Sequence, residues 1–437
     1  MTEVVLRGGT LIDGSGAPPR TSTSVHIRGD RIVAVGSDAD AASPDVPSLD
    51  VSGLTVMPGL IDAHVHVTLG EPSSNDELFH RREPAAAALV ASYNVRKVLR
   101  AGVTSFLDVD GIYNIGPALR DAILSGTIEG PTMKAGTYAL MTAVGGTAGR
   151  DIPDSGTAGY AEVVRDRDEM VRVVRRQVKE GSDVIKIHVT GSIPNVPGEI
   201  QVWTRDEMRV VCDTAHDLGV RVSAHCRGDG ATLDAVLAGV DIIWHASYLG
   251  EASLEAIVDR GVAVGPVFTF LANLNDYGSL AGATSSAKDV FRNEMEQTGA
   301  MLRRAYDAGV PLLCGSESGF SITPYGHWHA REMDVFVEHL GLTPLQAIKC
   351  CTSVNALALG QQGEVGEIAP GQRADVLVVD GDPSVDVRIL GDRKRFRHLF
   401  CRGAEVDLTP LPERMPLRSE RTTPWSAVPL TWDLVHP

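Results

Sequence analysis

The chain has 437 residues, of which 43% are hydrophobic and 22% are charged, and its formal net charge is −16 at pH 7. This length allows one large barrel and a smaller domain in an ordinary globular protein. The negative charge disfavours a general nucleic-acid or anionic-membrane surface, and no apolar run reaches the roughly 18 to 20 residues that cross a bilayer. We therefore expect a small-molecule substrate, with neither nucleic acid nor membrane as a partner.

The chain is predicted to begin with short strands joined by turns, over residues 1–57, as at Val4 to Arg7. Residues 58–362 alternate apolar runs with helix-length segments, which predicts parallel βα units and an α/β fold with a TIM-like (β/α)8 barrel. Residues 363–407 return to strands, so we expect a small, discontinuous β-sandwich domain built from both flanks of the barrel.

Four elements of the predicted barrel have clear limits: a helix over 161–180, a strand over 183–189, a helix over 204–218 and a strand over 220–225. Thr204 and Glu207, three residues apart, form the pattern of a capping box at the start of the second helix.

The tail, residues 408–437, is rich in Pro, Arg and Ser but carries four large apolar residues: Trp425, Leu430, Trp432 and Leu434. Apolar residues in an extended tail favour docking on a neighbouring surface, such as that of another subunit, with a disordered tail as the alternative. We therefore expect a homo-oligomer, with a hetero-oligomer as the alternative.

The cysteines and the N-terminus indicate a reducing compartment. The six cysteines are scattered with no Cys-x-x-Cys pair, and the start of the chain lacks a basic segment ahead of an apolar core. We expect a cytoplasmic protein with buried thiols, including Cys226 and Cys314 beside candidate site residues.

Six ligand-capable residues lie at or near the ends of apolar, strand-like runs: His64, His66, Lys186, His225, His245 and Glu317. The C-terminal ends of parallel barrel strands meet at one mouth. Residues two apart in a strand face the same side, so His64 and His66 could hold one ion together. Four histidines, a lysine and a carboxylate converging there would make a two-metal hydrolytic centre.

The segment from Met57 to His66 resembles the signature of the amidohydrolase superfamily. Leu6 to Gly14 and Arg28 to Gly36 are similar to the start of that family's small domain, and Gly363 to Asp380 resembles the return to it. Within the superfamily, the chain is most similar to the branch of Xaa-Pro dipeptidase-like and imidazolonepropionase-like enzymes.

The resemblance implies two divalent metal ions, with zinc favoured and iron or manganese as alternatives. It also implies that Lys186 takes up carbon dioxide and bridges the ions as a carbamate, an unmodified lysine being the alternative. His225 and His245 would bind the second ion. His188, two residues after Lys186, should face the same way and contact substrate or metal, or else support a ligand.

Two positions depart from the family pattern. Glu317 stands where the family usually has Asp, which keeps a carboxylate for metal binding and proton transfer but adds a methylene. Thr147 follows Gly145 and Gly146, where relatives often carry a histidine. Both departures leave room for an altered substrate or reaction.

Polar and aromatic residues on an apparent loop after Glu317 are predicted to line a substrate pocket, with packing as the alternative: Tyr325, His327 and His329. Arg227 is predicted to bind a substrate carboxylate through paired hydrogen bonds, with a surface ion pair to Asp229 as the alternative.

These features predict a metal-dependent hydrolase that cleaves an amide or peptide-like C–N bond of a small substrate, with Glu317 as the catalytic proton acceptor. One alternative keeps the site and uses iron or manganese to activate dioxygen and hydroxylate a small amino acid. A second alternative is a non-catalytic subunit that supports a partner.

Overall fold

The computed structural model of the chain describes residues 3–73, 83–145, 161–191, 199–282, 285–417 and 435. The predictions on Gly146 and Thr147, and on the apolar residues of the tail, lie outside these ranges. Within them, no helix is both long and apolar enough to cross a membrane.

The strands, in chain order, are β1 (Glu3–Leu11), β2 (Arg20–Arg28), β3 (Arg31–Val35), β4 (Ser48–Asp50), β5 (Thr55–Pro58), β6 (Leu60–Val65), β7 (Val103–Asp108), β8 (Thr132–Ala135), β9 (Ala139–Met141), β10 (Ala161–Val163), β11 (Val184–His188), β12 (Thr190–Gly191), β13 (Ile200–Gln201), β14 (Arg221–Cys226), β15 (Ile242–His245), β16 (Ala263–Gly265), β17 (Val376–Val379), β18 (Phe396–Cys401) and β19 (Ala404–Glu405). The α-helices are α1 (Ser37–Asp40), α2 (Pro84–Arg100), α3 (Ile115–Leu124), α4 (Arg167–Lys179), α5 (Arg205–His216), α6 (Asp229–Ala238), α7 (Glu251–Arg260), α8 (Thr269–Tyr277), α9 (Ser285–Asp307), α10 (Arg331–Leu340) and α11 (Pro344–Lys349). A π-helical turn, Cys350–Val354, continues α11, and 3-10 turns span Asn355–Leu357, Val387–Gly391 and Arg393–Arg395.

Strands from both flanks of the chain pair into one sheet, in the order β19-β18-β17-β5-β1-β2-β3, with β4 also paired to β1. The link between the flanks is the antiparallel pair of β17 and β5, where Val378 lies opposite Val56. The expected sandwich is, in the described residues, one continuous sheet. The long β1 accounts for this. On one side it pairs with β2, where the register shifts at Gly9, and on the other side it pairs first with β4 and then with β5.

The central part is built from parallel strands, in a sheet β6-β7-β8 and a sheet β10-β9-β11-β14-β15-β16. Parallel bridges from Val264 to Leu312 and from Val65 to Ser318 join the two sheets through the segment that carries Glu317. At the other side, the backbone N–H of Asp183, just before β11, donates to Ala135 O of β8 at 2.7 Å. The α/β class is therefore confirmed, while β8 and β11 form no strand ladder in the described ranges that would close a barrel.

Most of the central strands are buried along their full length, as in β11, because helices cover them. The predicted strand at 183–189 is confirmed as β11 and that at 220–225 as β14. The predicted helix at 204–218 is confirmed as α5, and it begins with the expected capping box of Thr204 and Glu207.

The helix predicted over 161–180 is wrong at its start. Residues 161–163 form β10, and α4 begins only after Asp166, whose side chain accepts the backbone N–H of Glu169 at 2.8 Å. An N-cap aspartate satisfies the free amides of the first turn, so the helix starts there.

Candidate metal centre

Two strand segments bring His64, His66 and Glu317 together at one end of the parallel sheet. His64 Nε2 lies 3.2 Å from His66 Nε2. The Glu317 carboxylate places Oε2 3.6 Å from His64 Nε2 and Oε1 3.4 Å from His66 Nε2. One ligand atom from each residue lies within 4.8 Å of the others. Nitrogens this close can both reach a single ion at about 2.0–2.1 Å.

The donor set of this cluster fits a divalent cation. In the described structure, Glu317 Oε2 is buried without a hydrogen-bond partner. Buried polar atoms normally have a partner, and an ion is one way to supply it. Imidazole nitrogens and a carboxylate oxygen are ligands common to zinc and iron sites. The assignment of all six predicted ligands to metal remains a prediction.

Burial and neighbouring charges set the protonation states in the cluster. Burial holds the pKa of His64 well below its usual range, so its ring is neutral. Burial raises the pKa of Glu317, but His64, His66 and Lys186 outweigh it and lower the pKa to about 2. Burial lowers the pKa of His66, yet Asp110 and Glu317 raise it to about 10. An ion at His66 would therefore displace a proton.

Asp62 ties the two ligand-bearing segments to each other. Its Oδ1 accepts the backbone N–H groups of His64 at 3.1 Å and Ser316 at 3.0 Å. Glu317 itself has a left-handed backbone, with φ of 54°. Non-glycine residues adopt this conformation at a cost, and such strain clusters at functional sites.

His329 contacts Asp62, the residue that connects the two ligand-bearing segments. Its Nδ1 is 2.7 Å from Asp62 Oδ2, and its Nε2 accepts the backbone N–H of Gly326 at 3.0 Å. Nε2 therefore carries no proton, and Nδ1–H is the donor to Asp62. Both ring nitrogens are engaged in this buried network, and a place of His329 in the substrate pocket remains a prediction.

Tyr325 also supports the ligand strand. The side chain is fully buried, and its hydroxyl donates to the backbone oxygens of His66 at 2.5 Å and Leu69 at 3.1 Å. Its place in the substrate pocket remains a prediction. His327 is exposed. A role of His327 in substrate binding remains a prediction.

Lys186 and His188 share one carboxylate, that of Asp110. Lys186 Nζ and His188 Nε2 each lie 3.1 Å from Asp110 Oδ2, so the two side chains face the same way, as expected. Asp110 Oδ1 is 2.8 Å from His66 Nδ1. Burial raises the pKa of Asp110, but Lys186 and His66 hold it well below its usual range. Sequence reasoning missed Asp110, although it follows an apolar strand as the predicted ligands do.

His225 and His245 lie beside the first cluster. Their ring centroids are 4.5 Å apart, and His245 is 5.9 Å from the ring of His64. Burial lowers the pKa of His245 well below its usual range, so its ring is neutral. A second residue missed from the sequence, Glu199, has Oε2 at 2.8 Å from His225 Nε2. Burial raises the pKa of Glu199, but His225 and Arg227 lower it to about 2.

Arg227 is paired with a residue from a distant helix. Its Nη2 lies 3.1 Å from Glu294 Oε1 on α9, and its guanidinium lies over the ring of Phe291. The alternative ion pair with Asp229 is wrong, because the Asp229 carboxylate accepts the backbone N–H of Gly250 at 2.7 Å and caps that turn. Binding of a substrate carboxylate by Arg227 remains a prediction.

All six cysteines are buried and free, as expected, including Cys226 and Cys314.

Asp108, the last residue of β7, leads to a prediction on stability and pH. Its Oδ1 accepts the backbone N–H of Val67 at 2.9 Å, and burial raises the pKa from 3.8 to about 8. The folded state then binds more protons than the unfolded state between these values, so stability falls as pH rises through about 8. Asp108→Asn cannot ionise. We expect its melting temperature, relative to the unsubstituted protein, to be higher at pH 9 than at pH 6.

The control is Asp121→Asn, which changes an exposed aspartate on α3. An equal difference in melting temperature at both pH values for Asp108→Asn would show that this carboxyl does not titrate in that range.

A mixed α/β fold with a buried His–His–carboxylate cluster at its strand ends is the arrangement of a metal-binding enzyme. The model of the Amidohydrolase family matches residues 55–406, and the chain belongs to this family. The predicted superfamily is thereby confirmed, and the chain is a hydrolase of C–N bonds from a family that generally uses divalent metals.

Relatives and solved structures agree with this. The chain is 27% identical to ochratoxinase from Aspergillus niger, over 91% of this chain and 85% of that protein. It is 26% identical to imidazolonepropionase from Fusobacterium nucleatum subsp. nucleatum, over 82% and 84%. A prolidase complexed with N-methylphosphonate-L-proline has a TM-score of 0.80 at 28% identity, covering 93% of this chain and 99% of its own. A Xaa-Pro dipeptidase with bound methionine has a TM-score of 0.81 at 26% identity, covering 93% and 100%.

Proposed function

We propose that the chain is a binuclear metal-dependent amidohydrolase that cleaves an amide or peptide-like C–N bond of a small substrate. The observation that carries this proposal is the buried cluster of His64, His66 and Glu317, whose ligand atoms lie within 4.8 Å of one another. The family to which the chain belongs supports the reaction class. The proposal includes a closed eight-stranded barrel, whose mouth would hold the site.

The first ion would be held by His64, His66 and Glu317, and the second by His225 and His245. Lys186 would bridge the two ions as a carbamate formed with carbon dioxide. Its Nζ now lies 3.1 Å from Asp110, so this role requires the amine to leave that carboxylate. Zinc is the favoured metal, because hydrolysis needs no redox chemistry.

Bound divalent ions would supply a water of lowered pKa and a polarised scissile carbonyl. Glu317 is the group placed to move the proton, because its Oε2 is buried without a hydrogen-bond partner in the described structure. The carboxylate would accept the proton of the attacking water and pass it to the leaving nitrogen. Arg227 would bind a carboxylate of the substrate from the side of His225.

Three similar proteins support an expected substrate class: a Xaa-Pro dipeptidase, a prolidase bound to a phosphonate of proline, and ochratoxinase. We therefore expect activity on compounds with an amide bond next to a carboxylate. A suitable panel contains Xaa-Pro and other dipeptides, N-acyl amino acids and ochratoxin.

The test is hydrolysis of this panel by chelator-treated protein reloaded with zinc, manganese or iron(II). We expect hydrolysis with at least one metal and none in the metal-free protein. Equal hydrolysis without metal would contradict metal dependence. Dioxygen consumption with small amino acids, in the absence of any hydrolysis, would favour the hydroxylase.

The domain limits, the homo-oligomer and the cytoplasmic location remain predictions. Light scattering during size-exclusion chromatography tests the oligomer directly, since a monomeric mass would contradict it.

A further inference from the structure

Glu199 is a buried carboxylate fixed on three sides next to the second group of predicted ligands. Its side chain is 8% exposed. Its Oε2 accepts a hydrogen bond from Thr190 Oγ1 at 2.6 Å, and its backbone N–H donates to Arg227 O at 2.8 Å. The backbone N–H of Arg227 in turn donates to Thr190 Oγ1 at 3.1 Å. The position of Glu199 is therefore set by the strand ends of β12 and β14.

The contact between Glu199 and His225 determines which ring nitrogen of His225 is available. Glu199 Oε2 lies 2.8 Å from His225 Nε2. The same Oε2 accepts the hydroxyl hydrogen of Thr190, so it acts as an acceptor here and Nε2 carries the proton. The lone pair of His225 is then on Nδ1. The ring is also held by its neighbours, since it stacks on His188 at 5.2 Å and meets His245 edge-on at 4.5 Å.

His66 shows a similar arrangement in the first cluster, but here Nδ1 lies beside the carboxylate and Nε2 faces the other ligands. Its Nδ1 lies 2.8 Å from Asp110 Oδ1, and its Nε2 faces His64 and Glu317. In each histidine one nitrogen lies 2.8 Å from a buried carboxylate oxygen, and His66 Nδ1 is also hydrogen-bonded to the backbone oxygen of Asp110 at 3.2 Å. The other nitrogen of His66 belongs to the ligand cluster. Carboxylates that hold the second nitrogen of a histidine commonly orient it toward a metal.

We propose that Glu199 is a positioning residue that fixes His225 with its proton on Nε2, so that Nδ1 binds the second metal ion. The proposal rests on the binuclear centre proposed above. Glu199 acts through His225 and not as a ligand, because its Oε2 is already engaged by His225 Nε2 at 2.8 Å and Thr190 Oγ1 at 2.6 Å. Its Oε1 lies 3.8 Å from Arg227 Nη1, so Glu199 is next to Arg227, the candidate substrate-binding residue.

Arg227 does not depend on Glu199 for its orientation. Its Nε and Nη2 lie 3.2 Å and 3.1 Å from Glu294 Oε1, and the same oxygen accepts a hydrogen bond from Ser247 Oγ. Loss of the Glu199 carboxylate should therefore affect the second ion more than substrate binding. We expect a lower kcat at limiting metal, recovery at high metal, and little change in KM.

The experiment compares Glu199→Ala and Glu199→Gln. Loss of such a carboxylate typically weakens metal binding by about 10- to 100-fold. We expect this loss for the second ion in Glu199→Ala, while the first ion keeps its affinity. The amide oxygen of Gln can still accept the Nε2 proton, so Glu199→Gln should retain most of the affinity. The control is Glu162→Gln. Glu162 is a buried carboxylate on β10, in the sheet that also contains β14 and His225, and it pairs with Arg176.

Two measurements decide the result. Zinc titration against a chelator, followed by elemental analysis, gives the affinity of each ion. NMR of the metal-free protein labelled with 15N-histidine reports the tautomer of His225, which should be Nε2–H and should change in Glu199→Ala. Unchanged second-ion affinity in Glu199→Ala, or an Nδ1–H tautomer in the unsubstituted protein, would overturn the proposal. Unsubstituted protein that binds one ion at most would instead contradict the binuclear centre, and the NMR result still decides the role of Glu199.

Discussion

Replacing Glu317 by Gln should lower kcat by about a hundredfold to ten-thousandfold, the range typical for loss of a general base. The substitution keeps the size of the side chain but removes the carboxylate that lies 3.6 Å from His64 Nε2 and 3.4 Å from His66 Nε2. The amide cannot take the proton of an attacking water. The measurement is kcat on the best substrate of the panel, in protein whose metal content has been determined.

Because Glu317 is also a candidate ligand, the comparison is restricted to variant protein that has been reloaded with metal. Near-normal turnover in fully metallated Glu317→Gln would show that another group moves the proton. Glu317→Asp is the companion variant, since it restores the residue usual in the family. A rise in dipeptide hydrolysis on this change would show that the added methylene steers the chain away from the reaction of its relatives.

Replacing His66 by Ala should remove the ion bound between His64 and Glu317. His66 Nε2 lies 3.2 Å from His64 Nε2, so the change removes one of three clustered ligand atoms. It also removes the contact of His66 with the buried carboxylate of Asp110, which keeps Lys186 and His188 as partners. We expect the variant to retain about half the metal of the unsubstituted protein after dialysis, as measured by elemental analysis, and to lose hydrolytic activity.

His216→Ala is the matched control, because His216 lies at the C-terminal end of α5 and pairs with Asp241 away from the site. His225→Ala should also lower the metal content, through the second ion. Full metal content in both His66→Ala and His225→Ala would mean that the ligands have been assigned wrongly.

The periodicity of the sequence was sufficient to place the principal ligands. His64 and His66 are two residues apart at the end of an apolar strand, and such residues share a face. Glu317 follows another buried run, and parallel strands bring their C-terminal ends together. These regularities depend only on local spacing, so the cluster was predictable before the structure. The start of α4 was not predictable in this way, because the N-cap at Asp166 starts the helix later than the apolar pattern indicates.

The carboxylates that support the ligands could not be predicted in the same way. Asp110 contacts His66 and Lys186, which are 44 and 76 positions away in the chain, and Glu199 contacts His225. Such pairings depend on how separate loops meet at the mouth, which spacing along one strand does not specify. The same reason explains why Tyr325 lies beneath the ligand strand, since its loop folds back.

The central claim is that this chain holds a pair of divalent ions at the ends of its parallel strands. Elemental analysis of protein purified without added metal, with the metal-to-chain ratio determined before and after treatment with a chelator, tests it most directly. We predict two divalent ions per chain, mainly zinc, with hydrolysis lost on chelation and regained on reloading. A protein that hydrolyses its substrate at full rate with no bound metal would contradict the account.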